Sequence, residues 1–199
     1  MPGIDRHGRQ DGRSENRDVG RAPDFMEPVQ AWRVWYVLRQ ERKVRLRSLY
    51  FPLLWEPGRR AEAECLHRCL LKPWRRREHE APQERCDCGI YAATTPSAAA
   101  DYLRFVEPAP AEAILYAVGR VSLWGVVVEC ERGWRGSLAY PAALYVPTRL
   151  LARLPRLTPQ EVAAGLAGYG VPVTVADASD PSELADAIEL SELVAREYR

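Results

Sequence analysis

An α+β fold is what this sequence of 199 residues predicts, and three observations carry the prediction. Apolar and polar residues alternate with a period of two from Ala31 to Tyr50, the spacing of a pair of half-buried strands. Two β-rich runs, Ala113–Glu131 and Trp134–Val146, face each other across an Arg132-Gly133 turn. Two helix-start signatures, Thr158-Pro159-Gln160-Glu161 and Asp180-Pro181-Ser182-Glu183, then dominate the C-terminal part. With 47% hydrophobic and 28% charged residues, the chain has enough apolar surface to build a core.

Residues 1–27 are rich in Gly, Asp, Arg, Ser and Asn and are expected to form a flexible tail. From Ala31, Trp32, Val34, Tyr36 and Leu38 alternate with Arg33, Trp35, Val37 and Arg39, so this strand has both faces partly covered. Gln40 to Lys43 is a polar turn, and Val44, Leu46, Ser48 and Tyr50 continue as the second strand of a hairpin. Pro52 and Pro57-Gly58 end it. Residues 59–71 are expected to form a short helix, with Ala61, Cys65, Leu66, Cys69 and Leu70 at helical spacing and Pro73 as its stop. Residues 72–88 read as polar and irregular, and Gly89–Ala93 as a short apolar strand.

Thr95-Pro96-Ser97 opens a helix to about Phe105, with Pro96 in the favoured first turn. In the long strand pair, Gly119 and Gly125 are expected to mark bulges where the strands bend. A bent pair with glycine kinks is how a small sheet curls towards a barrel, PUA-like or SH3-like by analogy. In the C-terminal part, Val162, Leu166 and Tyr169 share a helix face that Gly170 closes, and Val171–Val175 is a short strand. Leu184, Ile188, Leu193 and Val194 are expected to face inward from the last helix. The resulting division is a tail (1–27), a β domain (28–150) and a helix–strand–helix appendage (151–199).

The most apolar stretch, Ala113–Cys130, is interrupted by Arg120 and Glu129 and is no membrane span. No apolar segment follows the first Met, so a cytoplasmic location is expected, where thiols stay reduced. Four of the five cysteines, Cys65, Cys69, Cys86 and Cys88, lie in one window with His67 and His79. Cys86-Asp87-Cys88-Gly89 has the form of a metal knuckle, with Gly89 free to take the backbone angles of a tight turn. Zinc binds four N or S ligands, commonly as two close pairs. Two ligand sets fit: Cys65 and Cys69 from one helix face with Cys86 and Cys88, or Cys65, His79, Cys86 and Cys88. Around them stand Arg75, Arg76, Arg77, Glu78, Glu80, Glu84, Arg85 and Asp87, a segment too polar to order itself by burial. A structural Zn²⁺ with a closed shell of four protein ligands is the reading this favours over a cluster of buried thiols.

The segment His79-Glu-Ala-Pro-Gln-Glu-Arg-Cys86-Asp-Cys88-Gly-Ile-Tyr-Ala92, with Leu123-Trp-Gly-Val-Val-Val-Glu129 and Gly133-Trp134-Arg135, resembles a group of uncharacterised small proteins of high-GC bacteria. The resemblance spans roughly residues 31–147 and implies the second ligand set, Cys65, His79, Cys86 and Cys88. No activity comes with it.

The formal net charge of +1 hides an asymmetry. Residues 32–77 hold 13 basic and 4 acidic side chains, whereas residues 78–199 hold 10 and 17. The basic block carries Trp32, Trp35, Tyr36, Tyr50, Phe51, Trp55 and Trp74 as well. Arginines interleaved with aromatics can hold phosphates and stack bases. A nucleic-acid surface is therefore expected on Arg33, Arg45, Arg47, Trp35, Arg75 and Arg76, although a solvated hairpin face gives the same pattern. An acidic protein partner, and docking through the C-terminal helices, are the alternatives. No nucleophile–base–orienter set is evident: Cys130 sits between Glu129 and Glu131, which disfavour a thiolate, and an enzyme would need an open zinc site.

Overall fold

The computed structural model describes residues 27–41, 43–65, 68–69, 72–76, 79–106, 109–149 and 157–197. The expected tail lies almost entirely outside them. The strands are β1 (Val29–Gln40), β2 (Lys43–Ser48), β3 (Leu54–Trp55), β4 (Ala61–Glu62), β5 (Arg68–Cys69), β6 (Lys72–Arg76) and β7 (Ile90–Ala93), then β8 (Ala113–Cys130), β9 (Gly133–Pro147) and β10 (Val173–Ala176). The helices are α1 (Pro96–Ala100), which tightens into a 3-10 turn over Asp101–Phe105, α2 (Pro159–Leu166) and α3 (Pro181–Glu197). Eight strands form one mixed sheet, and β5 and β6 form a separate two-stranded one. The molecule is thus α+β, as its alternating and capping patterns predict.

The pairings of the large sheet return on themselves. β1 pairs with β8, β8 with β9, β9 with β7, and β7 comes back to β1 through Trp32 and Ala93. All four contacts are antiparallel. β2 and β3 extend the sheet beyond β1, β4 pairs with β9, and β10 joins β9 as a parallel strand.

β1 is apolar in both registers because it is buried on both faces. Ala31, Trp35 and Val37 point into the main core with Leu46, Trp55, Leu123, Leu144 and, from α2 and the turn after it, Val162, Leu166 and Tyr169. Trp32 and Val34 point the other way, into a second cluster with Val118, Ala99 of α1, and Leu184 and Ile188 of α3. Each buried Val, Leu or Ile among them contributes about 1.5–3 kcal/mol of transfer free energy. The Tyr169 hydroxyl ties the layers together by accepting from Leu46 N (2.9 Å) and donating to Trp55 O (2.6 Å).

Local signals explain most boundaries. Thr158 and Glu161 form the reciprocal capping box, and Gly170 ends that segment in the left-handed conformation, at φ 70°. Asp180 Oδ1 accepts from the N–H groups of Ser182 and Glu183, while Glu183 reaches back to Ser179, starting α3. Gly125 does mark a bulge: its φ is +74°, the register slips between Trp124 and Val127, and Ser137 Oγ takes up the freed Val126 N–H at 2.9 Å. Gly119 does not. The slip comes one residue later, and the role of Gly119 is close approach, since a Cβ there would lie 2.2 Å from the Ala143 carbonyl oxygen.

Three expectations are corrected. Residues 59–71 contain no helix among the described residues; Ala61 and Glu62 pair with β9, and Ala63 N donates to Ser137 O at 2.8 Å. This spends the backbone hydrogen bonds on a sheet edge and sends Cys65 off in extended chain. Residues 72–76 form a strand, β6, within the stretch read as irregular. Leu193 and Val194 are exposed, because α3 has passed the edge of its supporting layer by that point.

Candidate metal centre

Cys65 leaves the sheet directly after β4, and His79, Cys86 and Cys88 sit on the loop that leads into β7. That loop turns at Gln83–Cys86, where Cys86 N donates to Gln83 O (3.0 Å). Gly89 follows at φ +123°, pressed so closely between Pro82 and Arg135 that a Cβ would meet them at 3.0 and 3.1 Å. A side chain at position 89 would therefore be strained by the positive φ and would force Pro82 or Arg135 to give way slightly.

One ligand atom from each of Cys65, His79, Cys86 and Cys88 lies within 4.8 Å of all the others. Cys65 Sγ and Cys86 Sγ are 3.8 Å apart, and His79 Nε2 and Cys88 Sγ are 3.3 Å apart. The three cysteines are buried and unbridged, and with Ala81 they make a small cluster separate from the main core. Burial pushes the Cys88 thiol up to about 11, so only a nearby cation would hold its sulfur as thiolate at neutral pH. These four residues can hold a metal ion. Of the two ligand sets left open by spacing, this is the one with His79. His67 and the side chain of Cys69 lie outside the described residues.

Arg135, from β9, organises the turn behind the ligands. Its side chain is 6% exposed. Its NH1 group donates to the carbonyl oxygens of Cys86 and Cys88 (3.1 Å for Cys88) and, at 3.5 Å, of Gln83. Its Nε donates to Cys130 Sγ at 3.2 Å. Cys130 is therefore a hydrogen-bond partner of the arginine behind the knuckle, where the sequence offered it only as a disfavoured nucleophile. Composition gave no sign of Arg135; its only trace was its place in the Gly133-Trp134-Arg135 run.

Of the residues expected to form a nucleic-acid surface, the structure turns Trp35 and Arg33 inward. Trp35 is fully buried and meets Trp55 edge-on, so no base can stack on it. Arg33 is turned inward: its guanidinium donates to Tyr91 O and to Ser48 Oγ (2.9 Å) and lies over the Trp55 ring. Arg45 pairs with Glu56 at 3.2 Å, and Arg47 lies over the Tyr36 ring. Arg33 serves the fold from β1, which is covered on both faces, whereas Arg45 and Arg47 stand on the half-exposed register of β2. Arg75 and Arg76 belong to β6, but their side chains lie outside the described residues. Of the C-terminal helices, Val162 and Leu166 on α2 and Leu184 and Ile188 on α3 pack within the chain, whereas Leu190, Leu193 and Val194 on α3 are exposed.

Beside the knuckle a cleft of about 300 Å³ opens, lined among others by Arg33, Ser48, Phe51, Leu53, Ala63 and Cys88. Among the described residues, no helix is long and apolar enough to cross a membrane. Fold and site together define a mixed α+β protein with a candidate Cys3His metal centre. Comparison with family models, curated proteins and solved structures returns no match.

Proposed function

We propose that this chain is a binding module whose sheet is stapled by a structural zinc ion on Cys65, His79, Cys86 and Cys88, and whose cleft beside that staple receives the ligand. The observation that carries the proposal is the spacing of the donors. Two Zn–S bonds of about 2.3 Å at a tetrahedral angle put their sulfurs about 3.8 Å apart. Cys65 and Cys86 already stand at 3.8 Å. Three thiols and one imidazole are a donor set that suits zinc, and four protein ligands leave no open position for a substrate. The metal's role is then to order a polar loop. The ring-closing sheet is what supports the analogy with PUA-like and SH3-like barrels, and the shared HxAP…CxCGIYA run supports kinship with the high-GC bacterial group.

A base-stacking polyanion surface on Arg33, Arg45, Arg47 and Trp35 is not part of this proposal, since Trp35 is fully buried and Arg33 is turned inward. Metal analysis of the purified chain tests it. About one zinc per chain is expected, lost in Cys86→Ser and His79→Ala and retained in Cys69→Ser and Cys130→Ser. Zinc at background in the unaltered protein, or its loss in Cys69→Ser with retention in His79→Ala, overturns the assignment.

A further inference from the structure

β7 pairs with β9 at all four of its residues but meets β1 only at Ala93. Towards the Ile90 end the two strands part. The opening is bounded by Gly89 and Ile90 on one side and by Ser48, Phe51, Pro52 and Leu53 on the other. Most of this lining is apolar, and about 300 Å³ lies at the lower end of small-molecule sites.

Arg33 stands on the β1 side of the opening. Two of its donors are spent on Tyr91 O and Ser48 Oγ, but its Nε is buried with no hydrogen-bond partner. It makes no ion pair with a carboxylate among the described residues. A half-buried guanidinium with a buried, unpartnered Nε and no counter-charge bears a desolvation cost that an anion would offset. Burial also lowers its pKa to about 10, which still leaves it cationic at neutral pH. Two carboxylates, Glu62 and Glu64, line the cleft as well, but both are exposed to water, and Arg60 holds Glu62 at 3.0 Å. Water screens them, whereas the arginine sits in low dielectric.

From this we infer that the cleft between β1 and β7 binds a small organic anion, with a carboxylate or phosphate head on Arg33 and an apolar body against Phe51, Leu53 and Ala63. The inference rests on the binding-module reading and names the class of its ligand. Phosphate and carboxylate share the required chemistry, a planar or tetrahedral oxyanion that a guanidinium can bind with two parallel hydrogen bonds.

Calorimetric titration of the zinc-loaded full chain with phenylacetate, phenyl phosphate and neutral phenylacetamide tests it. At least one of the two anions is expected to bind roughly tenfold or more tightly than the amide, the yield of one charge-assisted hydrogen bond. Whichever anion binds identifies the head group. Arg33→Met should erase the preference. Because Arg33 also holds the Tyr91 carbonyl, Leu53→Trp provides a second variant, which fills the cleft without touching the arginine and should abolish binding. Equal affinity for the amide, undiminished binding in Leu53→Trp, or no binding of either anion overturns the inference. Zinc content measured on the same sample reports the staple separately, so failure of the ligand class is distinguishable from failure of the module.

Discussion

Arg135 is a positive charge of low exposure, and it faces carbonyl oxygens where a carboxylate would be the ordinary partner. A planar fork suits the task, because its N–H groups diverge, so that NH1 takes the carbonyls of the turn while Nε reaches Cys130 Sγ. A lysine would bring the same charge to a single point. Arg135→Lys should therefore keep the fold and lower zinc affinity by roughly 10–100-fold, the usual loss when an outer partner of a metal site is removed. Competition with a chromogenic chelator measures this; unchanged affinity would mean that the turn holds its shape without the fork. Cys65, Cys86 and Cys88 were legible as candidate ligands in the sequence, because cysteines at close spacing have few other uses in a polar loop, whereas the choice of His79 over Cys69 came only with the resemblance. Arg135 was not, because it approaches Cys88 from a strand 47 positions away. Arg33 and Trp35 were misread for a related reason. A strand covered on both faces has no solvent register; the sequence marked both faces as partly covered, but not that the cover extends over Arg33 and Trp35.

At the level of elements, caps and turns were the most legible features, since Thr158, Glu161 and Gly170 act through bonds within a few residues of themselves. The segment after Gly58 shows the opposite case. Ala61, Cys65 and Cys69 are spaced for a helix, yet β9 offers an edge that takes Ala61 and Glu62 as a strand. The inward face of α3 was right only for its first half. Leu184 and Ile188 are buried against Trp32 and Val34, and Ser97 and Arg120 fasten the next turn through Glu189 and Glu192. Leu193 and Val194 lie beyond those fastenings and are exposed. Ile188→Ala should accordingly cost about 2–5 kcal/mol in urea unfolding, as deletion of buried methyl groups does. Leu193→Ser should stay within about 0.5 kcal/mol of the parent chain. Comparable losses for both would show that the end of α3 is packed in solution.

On the proposed reading, the molecule as a whole is held by two unlike kinds of cohesion. The main core and the α1–α3 cluster are apolar and include none of the four ligands, which form a cluster of their own. The staple joins the extended chain after β4 to the loop before β7, both already anchored to β9 by ladder hydrogen bonds. Zinc removal should therefore release the 79–88 loop while leaving the sheet in place, unlike a small zinc finger whose whole core depends on its ion. With excess chelator at neutral pH and 25 °C, near-UV circular dichroism from Trp35 and Trp55 should persist, since these rings pack edge-on deep in the main core. The thermal midpoint should fall, because an ion that binds only the native chain stabilises it in proportion to the logarithm of its excess over Kd. Limited proteolysis should then cut first between residues 79 and 88, where the already exposed Arg85 gains the freedom to enter a protease site. Loss of the near-UV signal together with the metal would instead make the ion a condition of the entire fold, and would place the cleft on the zinc-dependent part of the molecule.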